Sequence, residues 1–210
     1  MRAYYFTNEV YAVSDIALRR IKVSRFEDLN DPFELIGADL RNKEDRAAFK
    51  EMKHRLHEKY GVLCFSKDWS NPLLWSHYSD KHRGLCLGFD IEDSEAQDVE
   101  YVEKPLKMRF TSQLARHLLL IKYLAWKYEE EVRVIINLEK ISPEGGLHFV
   151  PFSLGMELRE VILGPRCALP FKKVLQLCKQ ISNEIEVRRA RLAFSSFRVI
   201  ESRLRLRPTK

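Results

Sequence analysis

Apolar residues recur along the chain in two rhythms, and the switches between them outline the elements. Between about Glu44 and Tyr60, Phe49, Met52, Leu56 and Tyr60 return at helical spacing among charges, which predicts an amphipathic helix ended by Gly61. From Glu131 to Leu138 the rhythm is strict alternation, with Val132, Val134 and Ile136 on one face and Glu131, Arg133 and Ile135 on the other, as in a strand. Tyr4-Tyr5-Phe6 and Val62 to Ser66 read as strands, the second buried. Leu85 to Ile91 and Val99 to Glu103 read as two strands of a hairpin joined by the acidic loop 92–98. A helix capped by Ser14-Asp15 is expected to carry Ile16, Ala17 and Ile21, and Pro72 opens a short helix to Ser79. A long helix from Thr111 to about Lys127 follows. The remaining strands lie near 147–152, 160–163, 184–190 and 197–202, with a helix from Leu169 to Asn183. Asn30-Asp31-Pro32-Phe33 is a turn, because the Asx side chain folds back on the backbone and Pro32 keeps Asp31 out of the helical region.

Strands outnumber helices and do not alternate strictly with them. The pattern therefore predicts an α+β fold with mixed or antiparallel sheets and flanking helices rather than a doubly wound parallel sheet. There is no internal repeat and no low-complexity linker, so residues 1–210 are expected to form a single domain with a basic C-terminal strand over about 184–210.

Composition excludes more than it selects. At 45% hydrophobic and 31% charged, the 210 residues are of globular rather than disordered type. No apolar run approaches the roughly 18 residues of a membrane span, and Met1 to Glu9 lack the apolar stretch of a secretory leader. Cys64, Cys86, Cys167 and Cys178 form no CxxC pair, and three have apolar neighbours, so buried reduced thiols and a cytoplasmic protein without a bound metal are expected. The net charge is +6, of which Asn183 to Lys210 contribute +5 through eight Lys/Arg against three Glu. That strip could meet phosphates, or it could be an edge strand blunted by charge.

The glycine-rich nucleotide loops, the G-x-S-x-G elbow and the H-E-x-x-H pair are all missing. Two segments stand out instead. In Trp126-Lys127-Tyr128-Glu129-Glu130-Glu131-Val132-Arg133, a strand starting near Glu129 would put Glu129, Glu131 and Arg133 on one face. Such a trio could stabilise an oxocarbenium-like transition state. It could equally be an exposed cross-strand charge ladder, worth about 0.2–1 kcal/mol per pair. In the second segment, Trp75-Ser76-His77-Tyr78-Ser79-Asp80 sets aromatic rings beside hydroxyl, imidazole and carboxylate groups that could hold a flat ring by stacking, or could simply anchor a core.

Taken together, Asn30-Asp31-Pro32-Phe33-Glu34, Cys64-Phe65-Ser66, Trp75-Ser76-His77-Tyr78, Gly84, Val99-Glu100-Tyr101, Lys122, Trp126 to Arg133 and Ile162-Leu163-Gly164 resemble the bacterial domain-of-unknown-function 2971 family. The family carries no established activity. More distantly, the order of segments is similar to DarT-like ADP-ribosyltransferases, although Tyr4-Tyr5-Phe6 stands where those folds place a His or Arg. That resemblance implies a split-sheet fold, NAD as substrate, Glu131 or Glu129 as the catalytic carboxylate, and Tyr5 (or Tyr4), Ser66, Trp75, Tyr78 and Arg133 as cofactor-binding residues. It also implies a nucleic-acid or protein acceptor and a cognate antitoxin or other partner in phage defence. The competing expectation is a non-enzymatic module that recognises a nucleotide or nucleic acid.

Overall fold

The computed structural model describes residues 1–106, 112–153 and 155–202. In chain order the regular elements begin with β1 (Arg2–Thr7), α1 (Glu9–Leu18), β2 (Arg20–Lys22), β3 (Ser24–Arg25), α2 (Lys43–Lys59) and β4 (Tyr60–Ser66). Next come α3 (Pro72–Tyr78), β5 (Leu85–Ile91), β6 (Gln97–Asp98), β7 (Glu100–Val102), α4 (Ser112–Leu118) and β8 (Ile121–Tyr123). After a 3-10 turn at Leu124–Glu129 follow β9 (Glu131–Asn137), β10 (Phe149–Pro151), β11 (Met156–Leu163), α5 (Phe171–Lys179), β12 (Glu186–Leu192) and β13 (Val199–Glu201). The fold is α+β, as the pattern predicts, and the chain divides into two compact units.

The first unit comprises Met1, Arg20–Lys67 and Ile91–Met156. Here β4 pairs antiparallel with β3 and with β9, from Tyr60 opposite Asn137 to Ser66 opposite Glu131. A core of Phe26, Leu35, Phe49, Leu56, Val62 and Leu114 packs with Leu118 and Ile121. Asn42 caps α2 by accepting the Glu44 N–H at 3.0 Å, and the helix turns Phe49 and Leu56 into that core. The expected turn is present, with Asp31 Oδ1 accepting the Phe33 N–H at 2.9 Å.

The second unit comprises Arg2–Arg19, Asp68–Asp90 and the chain from Glu157 onward. Its strands run in the order β13, β12, β11, β5, β1. The β11–β12 pair is parallel while β1–β5 and β12–β13 are antiparallel, so the sheet is mixed. Trp75, Cys86, Ile162, Ala190 and Val199 form a core cluster.

Four expectations change. The helix expected over 111–127 is α4 followed by β8 and the 3-10 turn; its first residue, Thr111, lies outside the described residues. Parallel pairing of β7 with β8, from Glu100 opposite Ile121 to Val102 opposite Tyr123, ends the helix with a distant partner that local periodicity cannot reveal. The same pairing removes the hairpin expected between 85–91 and 99–103, because β5 pairs with β1 instead. The first helix is capped by Asn8, whose Oδ1 accepts the Tyr11 N–H at 2.8 Å, rather than by Ser14-Asp15. Glu129 closes the 3-10 turn instead of starting the strand, and Glu130 (φ 43°) takes the left-handed step between them. The charged stretch 203–210 lies outside the described residues. All four cysteines are free, and among the described residues no helix is long and apolar enough to cross a membrane.

Candidate functional site

In the first unit, five charged side chains are buried together: Glu34, Lys122, Glu129, Glu131 and Arg133. Strand alternation turns Glu131 and Arg133 to the same side of β9, and the turn at Asp31 delivers Glu34. Arg133 Nη1 and Nη2 donate to Glu34 at 3.1 and 2.6 Å, and Nε and Nη2 donate to Glu131 at 2.7 and 3.2 Å. Its last N–H goes to the Leu119 carbonyl at 2.8 Å, which uses all five donors of the guanidinium. Lys122 Nζ donates to Glu129 at 2.5 Å and to Glu131 at 2.8 Å, 5.2 Å from the centre of the Trp126 ring. The Glu131 N–H donates to the Tyr101 hydroxyl at 2.8 Å.

Three carboxylates face two cations, an excess of one negative charge. Burial would raise the Glu131 carboxyl, but Arg133 and Lys122 outweigh it and hold the group at about 2. Glu34 is pushed the other way, because burial outweighs its pairing with Arg133. Burial also drives the Cys64 thiol well up, aided by the Glu131 charge. With Arg133 at 0% and Glu131 at 4% exposure, the exposed-ladder expectation is corrected: this is a buried, saturated knot. A cavity of about 230 Å³ opens beside Lys122, between Phe33, Ile36, Ile121 and Tyr123. That is below the roughly 300–1,000 Å³ of small-molecule sites.

The second unit carries a different kind of site. Asn71 and Pro72 start α3, which sends Trp75 inward, while the exposed His77 and half-buried Tyr78 line a pocket. Trp75 is wholly buried, edge-on to Phe6 at 5.2 Å, with its indole N–H donating to the Trp69 carbonyl at 2.6 Å. After the helix, Asp80, Lys81 and His82 have φ of 42°, 53° and 71°, three consecutive non-glycine residues in the left-handed region. Such residues cost on the order of 1–3 kcal/mol each and concentrate where a site needs a set geometry. The loop is held by N–H bonds from His82 to the Trp75 carbonyl, from Gly84 to Ser79, and from Arg166 to the His82 carbonyl at 3.0 Å.

Gly84 and Gly164 make this crossing possible. A Cβ on Gly84 would lie 2.0 Å from the Thr7 carbonyl oxygen, and one on Gly164 would lie 2.4 Å from that of His82. The crossing brings Arg83 and Arg166 to a pocket of about 710 Å³ that His77, Tyr78, Asp80 and Glu9 also line. Both arginines are exposed. The nearest acid to Arg83 is Asp80 at 4.0 Å, and Glu9 accepts the Ala168 N–H at 2.8 Å. The His77 and Tyr78 rings lie 6.0 Å apart, tilted by 57°.

Residues 74–134 match the family model described as Protein of unknown function (DUF2971). Over that segment the chain is similar to the DUF2971 family. The match is shorter than the span from Asn30 to Gly164 that holds the family-like motifs, and it contains Trp75, Tyr78, Gly84, Lys122, Glu129, Glu131 and Arg133. No curated protein and no solved structure matches the chain.

The sequence-predicted residues thus fall into two groups. Glu129, Glu131 and Arg133 meet in the first unit, and Ser66, buried, stands opposite Glu131 in the β4–β9 register. Tyr5, Trp75 and Tyr78 belong to the second unit; Tyr5 lies half-buried opposite Leu87, Trp75 is core, and Tyr78 lines the pocket. Sequence reading missed Arg83 and Arg166 as site residues. The signal available was Gly84 and Gly164, both within the DUF2971-like motifs and both needing a bare Cα. Among the described residues no cluster of His, Cys, Asp and Glu could hold a metal ion.

Proposed function

We propose that the protein binds a nucleotide-type ligand in the pocket of the second unit. Arg83 and Arg166 take phosphate there, and Tyr78 with His77 flanks the base. The observation that carries this reading is the pair of exposed arginines on two backbone segments bonded to each other, beside two aromatic rings, in a pocket of ligand size. The strained loop between Tyr78 and Arg83 supports it, since the fold sustains that cost where the pocket lies.

A second reading, ADP-ribosyl transfer from NAD to a macromolecular acceptor in a defence or toxin–antitoxin setting, draws support from Glu131. Its carboxylate stays ionised at any physiological pH, as an oxocarbenium partner must. Against it stand the burial of that carboxylate and the commitment of both its oxygens to Arg133 and Lys122. Calorimetric titration of the protein with ATP and with NAD, followed by an assay for released nicotinamide, separates the two. Binding of either nucleotide without nicotinamide release is expected. Release with cell extract or nucleic acid as acceptor would establish the transferase, and no heat from either ligand at millimolar concentration would refute nucleotide binding.

A further inference from the structure

Phe194 and Phe197 are 95% and 97% exposed, at the tip of the hairpin formed by β12 and β13. The strands close with Leu192 opposite Val199 and with the Ala193 N–H donating to the Arg198 carbonyl at 3.0 Å, leaving Phe194-Ser195-Ser196-Phe197 as the loop. The strand end just after the loop is pinned: the Val199 N–H donates to the Ser70 carbonyl at 2.8 Å, and Arg198 pairs with Asp68 at 3.0 Å and with the Ser70 hydroxyl. The rings are therefore presented on a fixed support. Arg191 sets its guanidinium 4.8 Å from the centre of the Phe194 ring, and the loop itself holds no acidic residue. From Glu186 to Ser202 the chain carries Arg188, Arg189, Arg191 and Arg198 against Glu186 and Glu201, a net charge of +2.

We propose that this hairpin tip docks single-stranded nucleic acid, with Phe194 and Phe197 stacking on unpaired bases and Arg191 meeting the phosphate backbone. Two features select that partner. Aromatic rings interleaved with arginine are what a base-stacking platform needs, and a duplex hides the base faces that the rings would use. Two phenylalanines offer only about 300–500 Å² together, short of the roughly 800 Å² per side of a stable protein interface. This site is independent of the pocket at Arg83 and Arg166.

The test is fluorescence anisotropy of labelled oligothymidylate and oligouridylate of about 20 nucleotides, with a duplex of equal length and with phosphatidylserine–phosphatidylcholine vesicles as the other arms. The single strands are expected to bind more tightly than the duplex. The F194A/F197A variant should weaken them at least about tenfold, F194W/F197W should restore binding, and R191A should flatten the salt dependence. Because both rings are in solvent, these variants fold like the wild type. Equal affinity for duplex, binding unchanged by F194A/F197A, or binding to vesicles without binding to either single strand would each overturn the proposal.

Discussion

The charge cluster of the first unit lies in the interior with every donor of Arg133 paired, whereas the pocket of the second unit leaves its arginines in solvent beside aromatic rings. Arg133 spends five donors on two carboxylates and a carbonyl, so nothing remains for a ligand. Arg83 has one acid at 4.0 Å, and the side chain is 61% exposed. Both regions contain DUF2971-matched residues, so a match alone does not tell a group that holds the fold from one that meets a ligand. Saturation of hydrogen bonds and access to solvent do tell them apart. A buried ion pair with one partner removed leaves an uncompensated charge, and the loss appears in stability. An exposed arginine removed from a pocket leaves the fold nearly untouched, and the loss appears in binding.

The largest effect should come from R133M. It leaves three buried carboxylates against Lys122 alone, and urea denaturation should show a loss of about 3–5 kcal/mol or a chain that no longer folds. E131Q comes next, at about 3 kcal/mol, because the amide keeps a carbonyl for Lys122 but cannot pair with Arg133 as an anion. The same residue gives a pH dependence of known sign. Its folded value lies near 2, below its ordinary 4.5, so its contribution is full above about 4.5 and is lost as the pH falls toward 2. Unfolding midpoints should drop more steeply over that window in the wild type than in E131Q. G84A should cost about 1–3 kcal/mol by pushing a methyl into the Thr7 carbonyl and the Asn8 backbone; a midpoint equal to wild type would show that this crossing is not tight.

Much of this was legible in advance. The alternation from Glu131 identified β9, and with it the shared face of Glu131 and Arg133, because successive side chains of a strand point to opposite faces whatever covers them. The Asn30-Asp31-Pro32-Phe33 turn was legible because its chemistry is local. What escaped depends on distant partners. Leu114, Leu118 and Ile121 fit a continuing helix, and only the β7 partner shows why the helix stops and Lys122 reaches Glu129. The burial of Glu129 and Glu131 was equally hidden, since a carboxylate reads as surface until Lys122, Glu34 and Arg133 are brought around it. Arg83 and Arg166 lie 83 positions apart in sequence, and their segments are joined through the Arg166 N–H to the His82 carbonyl and the Gly164 N–H to the Gly84 carbonyl.

Arg83 and Arg166 are proposed to act on a ligand rather than on the fold. The decisive measurement is the dissociation constant of ATP for R83A/R166A against wild type by isothermal titration, with the urea midpoint of each protein recorded alongside. Two lost charge-assisted contacts to phosphate, each worth about 1.5–3 kcal/mol, should weaken binding by about a hundredfold or more, while stability moves by less than about 0.5 kcal/mol. Unchanged affinity, or a fall in affinity matched by a fall in the urea midpoint, would contradict it.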